Sequence, residues 1–264
     1  MERIILTKKD QVGTITFNYP QQLNGIGGIM IPEFNAAFRE LEYDDDIRVI
    51  VINGAGKAFS GGGAMDKLKE IGDDQQSGAV APETFDMREI SEWPRLIRNS
   101  WKPVIASVHG ACAGGAIGVA LLADFCICSE DALFVEPFAN IAICPDVSGT
   151  YALTRHVNVK KATQYIMLAD RIKADQALEA GIVNWVVPND ELEAETAKLC
   201  QKLISKPKNA LKMMKQFMTQ CCWGDLEDEL RLEWMANAIL TNSTDFREGV
   251  DAFVNKRKPE FNKR

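Results

Sequence analysis

Val104-Ile105-Ala106-Ser107-Val108-His109-Gly110-Ala111-Cys112-Ala113-Gly114-Gly115-Ala116-Ile117-Gly118, running on to Asp124, decides the fold. Pro103 precedes a β-branched run that predicts a buried strand, the glycines at 110, 114 and 115 predict a turn, and a helix is expected from about Ala116. Residues 104–123 hold no formal charge, and Gly110, Gly114 and Gly118 stand at GxxxG spacing. A membrane span is nevertheless the weaker reading, because the stretch contains Ser107, His109 and four glycines. About fifty residues earlier the same order occurs. Arg48-Val49-Ile50-Val51-Ile52 leads through Asn53-Gly54-Ala55 to Gly61-Gly62-Gly63, and a helix follows from about Met65. A strand this apolar suits burial on both faces.

Outward from these two units the chain reads as an α/β body with parallel strands. Two short strands are expected at 4–6 and 13–18, then a polar loop over 18–28. A helix over 31–42 follows, with Phe34, Ala37, Phe38 and Leu41 on one face and Pro32 in its first turn. The polar run 72–82 reads as mobile, and a helix is expected over 84–97. From Asp190 the character changes: helices are predicted at 192–203, 207–220 and 226–242, with no strand among them. This divides the chain into an α/β core over 1–204 and a helical C-terminal region over 205–264, which closes on a basic cluster from Phe253 to Pro259.

The chain has 264 residues and a net charge of −7, from 30 Lys+Arg against 37 Asp+Glu. Neither an overall positive charge nor a basic face points to nucleic acid. Seven cysteines, at 112, 126, 128, 144, 200, 221 and 222, have irregular spacings that match no zinc motif, and the only histidines are 109 and 156. The N-terminal segment lacks the apolar core of a signal peptide, so reduced packing thiols in a cytoplasmic protein are expected.

No P-loop, dinucleotide fingerprint, GxSxG elbow or HExxH motif is present. The paired glycine turns remain. Glycine lets a backbone approach a ligand closely, and two N–H groups aimed at one point would make an oxyanion hole for a carbonyl oxygen. Tight turns that only pack strand against helix are the other reading.

Gly56-Lys57-Ala58-Phe59-Ser60-Gly61-Gly62-Gly63 resembles the first signature of the enoyl-CoA hydratase/isomerase (crotonase) family, and His109 to Gly118, ending at Asp124, resembles the second. The likeness continues through Ala132-Leu133-Phe134, 145–150, 177–183 and 246–259, and so covers essentially the whole chain. It implies a crotonase-like spiral of repeated ββα units with a helical C-terminal region, homotrimers or hexamers, acyl-CoA thioester substrates, and no cofactor beyond the CoA of the substrate. By position, Gly63 and Gly115 would supply the two donors to the thioester oxygen, and Ala64, Met65 and Asp66 would line the CoA path. Phe253 and Lys256 would contact CoA, across a subunit boundary in an assembled trimer.

The departures from the family pattern are specific. Hydratases of the family carry glutamates at the places held here by Gly118 and Phe138, and neither residue exchanges a proton. Phe138 is expected to line the substrate instead. Asp146 stands where some enoyl-CoA isomerases of the family carry their acid, and its apolar neighbours should raise its pKa. The plain alternative is that Asp146 N-caps a helix starting near Val147. Glu136 is a second acid that could point away. The resemblance thus implies a double-bond isomerase with Asp146 as its proton shuttle. A hydratase with Asp146 and Glu136 as acid and base, a covalent mechanism at Asp146, and a silent acyl-CoA-binding homologue are the rival readings.

Overall fold

The computed structural model describes residues 3–76, 87–222 and 225–260. Two strands open the chain, β1 (Ile4–Lys9) and β2 (Val12–Phe17), followed by α1 (Met30–Tyr43), β3 (Val49–Gly54), α2 (Met65–Gln76), α3 (Met87–Ile90) and α4 (Glu92–Asn99). The central unit is β4 (Val104–Val108), β5 (Ala111–Ala113), α5 (Gly115–Leu122), β6 (Phe125–Ser129) and β7 (Leu133–Val135). Then come α6 (Gly149–His156), α7 (Val159–Leu168), β8 (Ile172–Lys173), α8 (Ala174–Glu179) and β9 (Trp185–Val187). The C-terminal helices are α9 (Leu192–Ile204), α10 (Lys208–Cys222), α11 (Leu226–Leu240) and α12 (Thr244–Val254).

Six strands form one sheet in the order β1-β2-β3-β4-β6-β9, parallel except for the β1–β2 hairpin. Alternation along β3 explains its apolar sequence. Ile50 and Ile52 face the main core, while Val49 and Val51 pack with Ile105, Ile127 and the α9 residues Leu192, Cys200 and Leu203. Phe17, Phe34 and Trp93 stack at the centre of the main core, with the Phe34 and Trp93 rings 4.1 Å apart. Cys112, Cys126, Cys128 and Cys200 are buried packing residues.

A second sheet, β5-β7-β8, is too short to be read from sequence, and β5 lies inside what reads as a glycine turn. It fixes the functional region. Ser60 N–H donates to Ala111 O (3.0 Å), Ala113 N–H to Ser60 O (3.0 Å) and Gly114 N–H to Val135 O (3.0 Å). Ile26 N–H donates to Gly62 O (2.7 Å) and Ala64 N–H to Ile26 O (2.8 Å), which adds the loop after β2 to the same layer.

Several boundaries differ from expectation. The polar run from residue 72 begins inside α2, which extends to Gln76; residues 77–86, where the rest of it and the start of the 84–97 helix fall, lie outside the described residues. The 84–97 helix itself breaks at Ser91 into α3 and α4. The uncharged stretch 104–123 is divided between β4, β5 and the wholly buried eight-residue α5. Among the described residues no helix is long and apolar enough to cross a membrane. α12 folds back from the C-terminal region onto α2 and the short 3-10 helix Pro137–Ile141.

Candidate active site

The two glycine turns abut. Gly62 has φ +90°, and a Cβ there would lie 2.8 Å from Ala113 O; a Cβ on Gly114, at φ +54°, would lie 3.6 Å from Gly62 Cα. A side chain at Gly62 would drive the turns apart, and the positive φ at both places strains any residue with a Cβ. Gly63 and Gly115 follow in the chain, and among the described residues neither backbone N–H donates to an acceptor of the protein. Gly115 opens α5, whose N-terminal polarity favours a negative oxygen. Two unspent donors at adjoining turns can hold one oxyanion.

Beside them lies a cavity walled by Gly61 to Gly63, Met65, Leu68, Gly114, Phe138, Ile141 and Ile143, with Asp146, Asn237, Thr241 and Phe253. Among the described residues its wall contains one carboxyl, that of Asp146. A larger depression of about 690 Å³ crosses the opposite sheet face between β2 and α9, but it contains neither glycine pair.

Asp146 is 8% exposed and its Oδ1 has no hydrogen-bond partner. Burial pushes its pKa up to about 7. A Cβ on Gly115 would stand 2.8 Å from that Oδ1, so the carboxyl rests directly on the second donor turn. The capping alternative is corrected here. α6 begins at Gly149 rather than near Val147, with Ser148 at its N-cap and no side-chain capping bond.

A strained turn follows the carboxyl. Val147 (φ +49°) and Ser148 (φ +60°) are both left-handed, a conformation costing on the order of 1–3 kcal/mol per residue and disfavoured most for β-branched valine. The same turn explains the glycine in place of the first hydratase glutamate, since a Cβ at Gly118 would fall 2.1 Å from Val147 O. A Gly118→Glu protein is therefore expected to gain no hydration activity and to lose at least about 3 kcal/mol of stability in chemical denaturation. A normally folded variant that hydrates 2-enoyl thioesters would contradict this packing.

Glu136 is fully buried, both carboxyl oxygens lack partners, and Oε1 lies 2.8 Å from where a Cβ of Gly149 would be. Burial first, and the Asp146 charge second, hold it protonated well above the usual carboxylate range. It sits behind the Asp146 turn and takes no part in the cavity wall.

Of the residues expected from sequence, the cavity brings together Gly63, Met65, Phe138, Asp146 and Phe253 of one chain, with Gly115 adjoining. Ala64 and Asp66 face a different shallow groove with Gly25, Gly28 and Lys67, because the first steps of α2 turn them away. Lys256 is exposed and outside the cavity. Sequence reading missed Asn24 and Asn237. Buried Asn24 donates to the carbonyls of Ala55, Ala58 and Phe59 and fixes the first glycine loop. His109, whose Nε2 pairs with Gly56 O (3.1 Å), and His156, bound to Leu121 O (2.9 Å) and pushed down to about 4 by burial, are structural.

Residues 7–264 match the enoyl-CoA hydratase/isomerase family. The chain is 33% identical to the trans-2-decenoyl-[acyl-carrier-protein] isomerase of Streptococcus mutans, covering 98% of both chains. It is 31% identical to the short-chain-enoyl-CoA hydratase of Clostridium acetobutylicum, over 98% of this chain and 97% of that one. An enoyl-CoA hydratase crystal structure from Mycobacterium avium subsp. paratuberculosis superposes with a TM-score of 0.89 at 30% identity, covering 99% of each chain. The protein belongs to the enoyl-CoA hydratase/isomerase family and has its crotonase fold. Isomerases and hydratases both stand among its relatives.

Proposed function

We propose that the protein is an enoyl-thioester double-bond isomerase in which Asp146 carries a proton between two carbons of the acyl chain. The cavity wall's one carboxyl among the described residues carries this reading. The thioester oxygen would accept from the N–H groups of Gly63 and Gly115, each worth on the order of 3 kcal/mol of barrier lowering. Asp146 takes the acidic proton and leaves an extended enolate held by those donors. The carboxylic acid so formed returns the proton at another carbon. One proton leaves and one arrives, so no water is consumed and no redox group is needed; CoA is part of the substrate. A pKa of about 7 lets the same group give and take protons near neutrality.

A hydratase needs a second carboxyl against a water at the acyl chain, and Glu136 buries both oxygens outside the cavity wall. For assembly, the exposed Phe217 and Met218 on α10 and Trp234 and Met235 on α11 support the trimer that the resemblance implies.

The test is conversion of 3-enoyl thioesters, on CoA and on acyl-carrier protein, followed by absorbance of the conjugated 2-enoyl product. Asp146 must be ionised to start the reaction, so kcat/KM should rise with pH and level off above about 7. Hydration of 2-enoyl thioesters without any 3-enoyl conversion would overturn the proposal.

A further inference from the structure

Asn237 enters the cavity from α11 with 7% of its surface exposed. Cys144 N–H donates to its Oδ1 (3.1 Å), which fixes the amide orientation. The NH2 group is then turned away from the 144 backbone, and among the described residues it donates to no acceptor of the protein. Thr241, one turn further on, lines the same wall and spends its hydroxyl proton on Asn237 O (2.8 Å), leaving oxygen lone pairs. Around this pair the wall is hydrocarbon, from Met65, Leu68, Ile141, Ile143 and Phe253. An apolar ligand seated on such a wall cuts this donor off from water and leaves it unpaired, and sites built this way reject such ligands.

We propose that Asn237 and Thr241 make this an acyl pocket for chains bearing a hydrogen-bonding oxygen, a keto or hydroxyl group, in preference to plain hydrocarbon. The inference rests on the acyl-thioester reading above. A keto oxygen accepts from the Asn237 NH2. A hydroxyl does the same and also donates to Thr241 Oγ1, so the two sources are separable by variant.

The experiment is calorimetric titration of the full chain with saturated, non-reacting CoA esters: hexanoyl-CoA, and six-carbon chains with a keto or hydroxyl group moved stepwise along carbons 4 to 6. At least one oxygenated ester should bind tenfold or more tightly than hexanoyl-CoA. Asn237→Leu should abolish that preference, bringing the oxygenated esters to the affinity the same variant shows for hexanoyl-CoA. Asn237→Asp should abolish it too, although its carboxylate can still accept from Cys144 N–H. Thr241→Val should weaken only the hydroxyl esters. An equal loss of all esters in both Asn237 variants would mean that Asn237 serves the shared CoA portion or merely holds the 144–146 loop, and would overturn the inference. So would a wild type without preference. Binding without turnover is readable even if isomerisation fails, whereas no binding by any ester defeats the thioester reading itself.

Discussion

Replacing Asp146 by Asn is expected to remove isomerase activity by about a thousandfold, the scale on which a positioned acid–base group acts, while making the folded protein more resistant to denaturant at pH 8. The two effects share one cause. Burial without a partner raises the Asp146 pKa from 3.8 to about 7, so the folded state holds this proton more tightly than the unfolded chain. The associated stability is complete below the unfolded value and is lost as the pH rises from about 4 to about 7. Three pKa units correspond to about 4 kcal/mol, an upper figure for what the ionised carboxylate costs the fold at pH 8. Asparagine of nearly the same shape stays neutral and avoids that cost. Urea titrations at pH 5 and pH 8 would measure it: the variant should gain at pH 8, and the gain should shrink at pH 5. A variant that loses activity and stability together would mean that Asp146 holds its loop in place rather than carrying a proton. Strain at Val147 and Ser148 points the same way, since a chain that maximised stability would not keep two non-glycine residues left-handed beside an unpartnered acid.

The strand-turn-helix units were legible because their signals are local: apolar runs, paired glycines and a 3.6-residue period. That the two turns touch was not, since it depends on the bonds from Ser60 N–H to Ala111 O and from Ala113 N–H to Ser60 O, some fifty residues apart along the chain. The three-residue β5 was hidden for the same reason, as a strand defined by its partners rather than by its composition. Asp146 could be located through the family likeness, but the occupation of the Gly118 side by Val147 O is a backbone fact with no side-chain signature. Ala64 and Asp66 border a different groove from Met65: α2 starts at Met65, which faces the cavity, and its neighbours then turn away from it. Asn237 is one polar residue on a mixed helix, and only its contact with Cys144 N–H distinguishes it.

Asp124, at the end of the second glycine unit, carries the largest expected loss of stability. Its Oδ2 accepts from Lys215 Nζ (2.7 Å) and from Val104 N–H (2.8 Å), and its Oδ1 lies 3.3 Å from the Arg98 guanidinium. Lys215 and Arg98 have side chains only 5% and 4% exposed, so Asp124 is the counter-charge for two buried cations. Burial lowers the pKa of both, and Asp124 partly offsets it in each. Removing one partner of such a group strands the others. Asp124→Asn should therefore cost about 3–5 kcal/mol, or on the order of 10 °C in melting temperature for a chain of this size. Adding Lys215→Met should recover part of the loss, because the apolar chain needs no counter-charge, whereas Lys215→Met alone leaves Asp124 paired with Arg98. Denaturant titrations of the two single variants and the double variant give the coupling directly. An Asp124→Asn protein within about 1 kcal/mol of wild type would show that water reaches these cations and that the network is not closed. The consequence reaches the site through α5. Asp124 fixes the end of the helix whose first residue is Gly115, and Lys215 and Arg98 lock α10 and α4 against it. A donor N–H is effective only if it does not move as charge develops on the oxygen it holds, so under the proposed mechanism the same ion network that stabilises the fold would keep the Gly115 N–H in place.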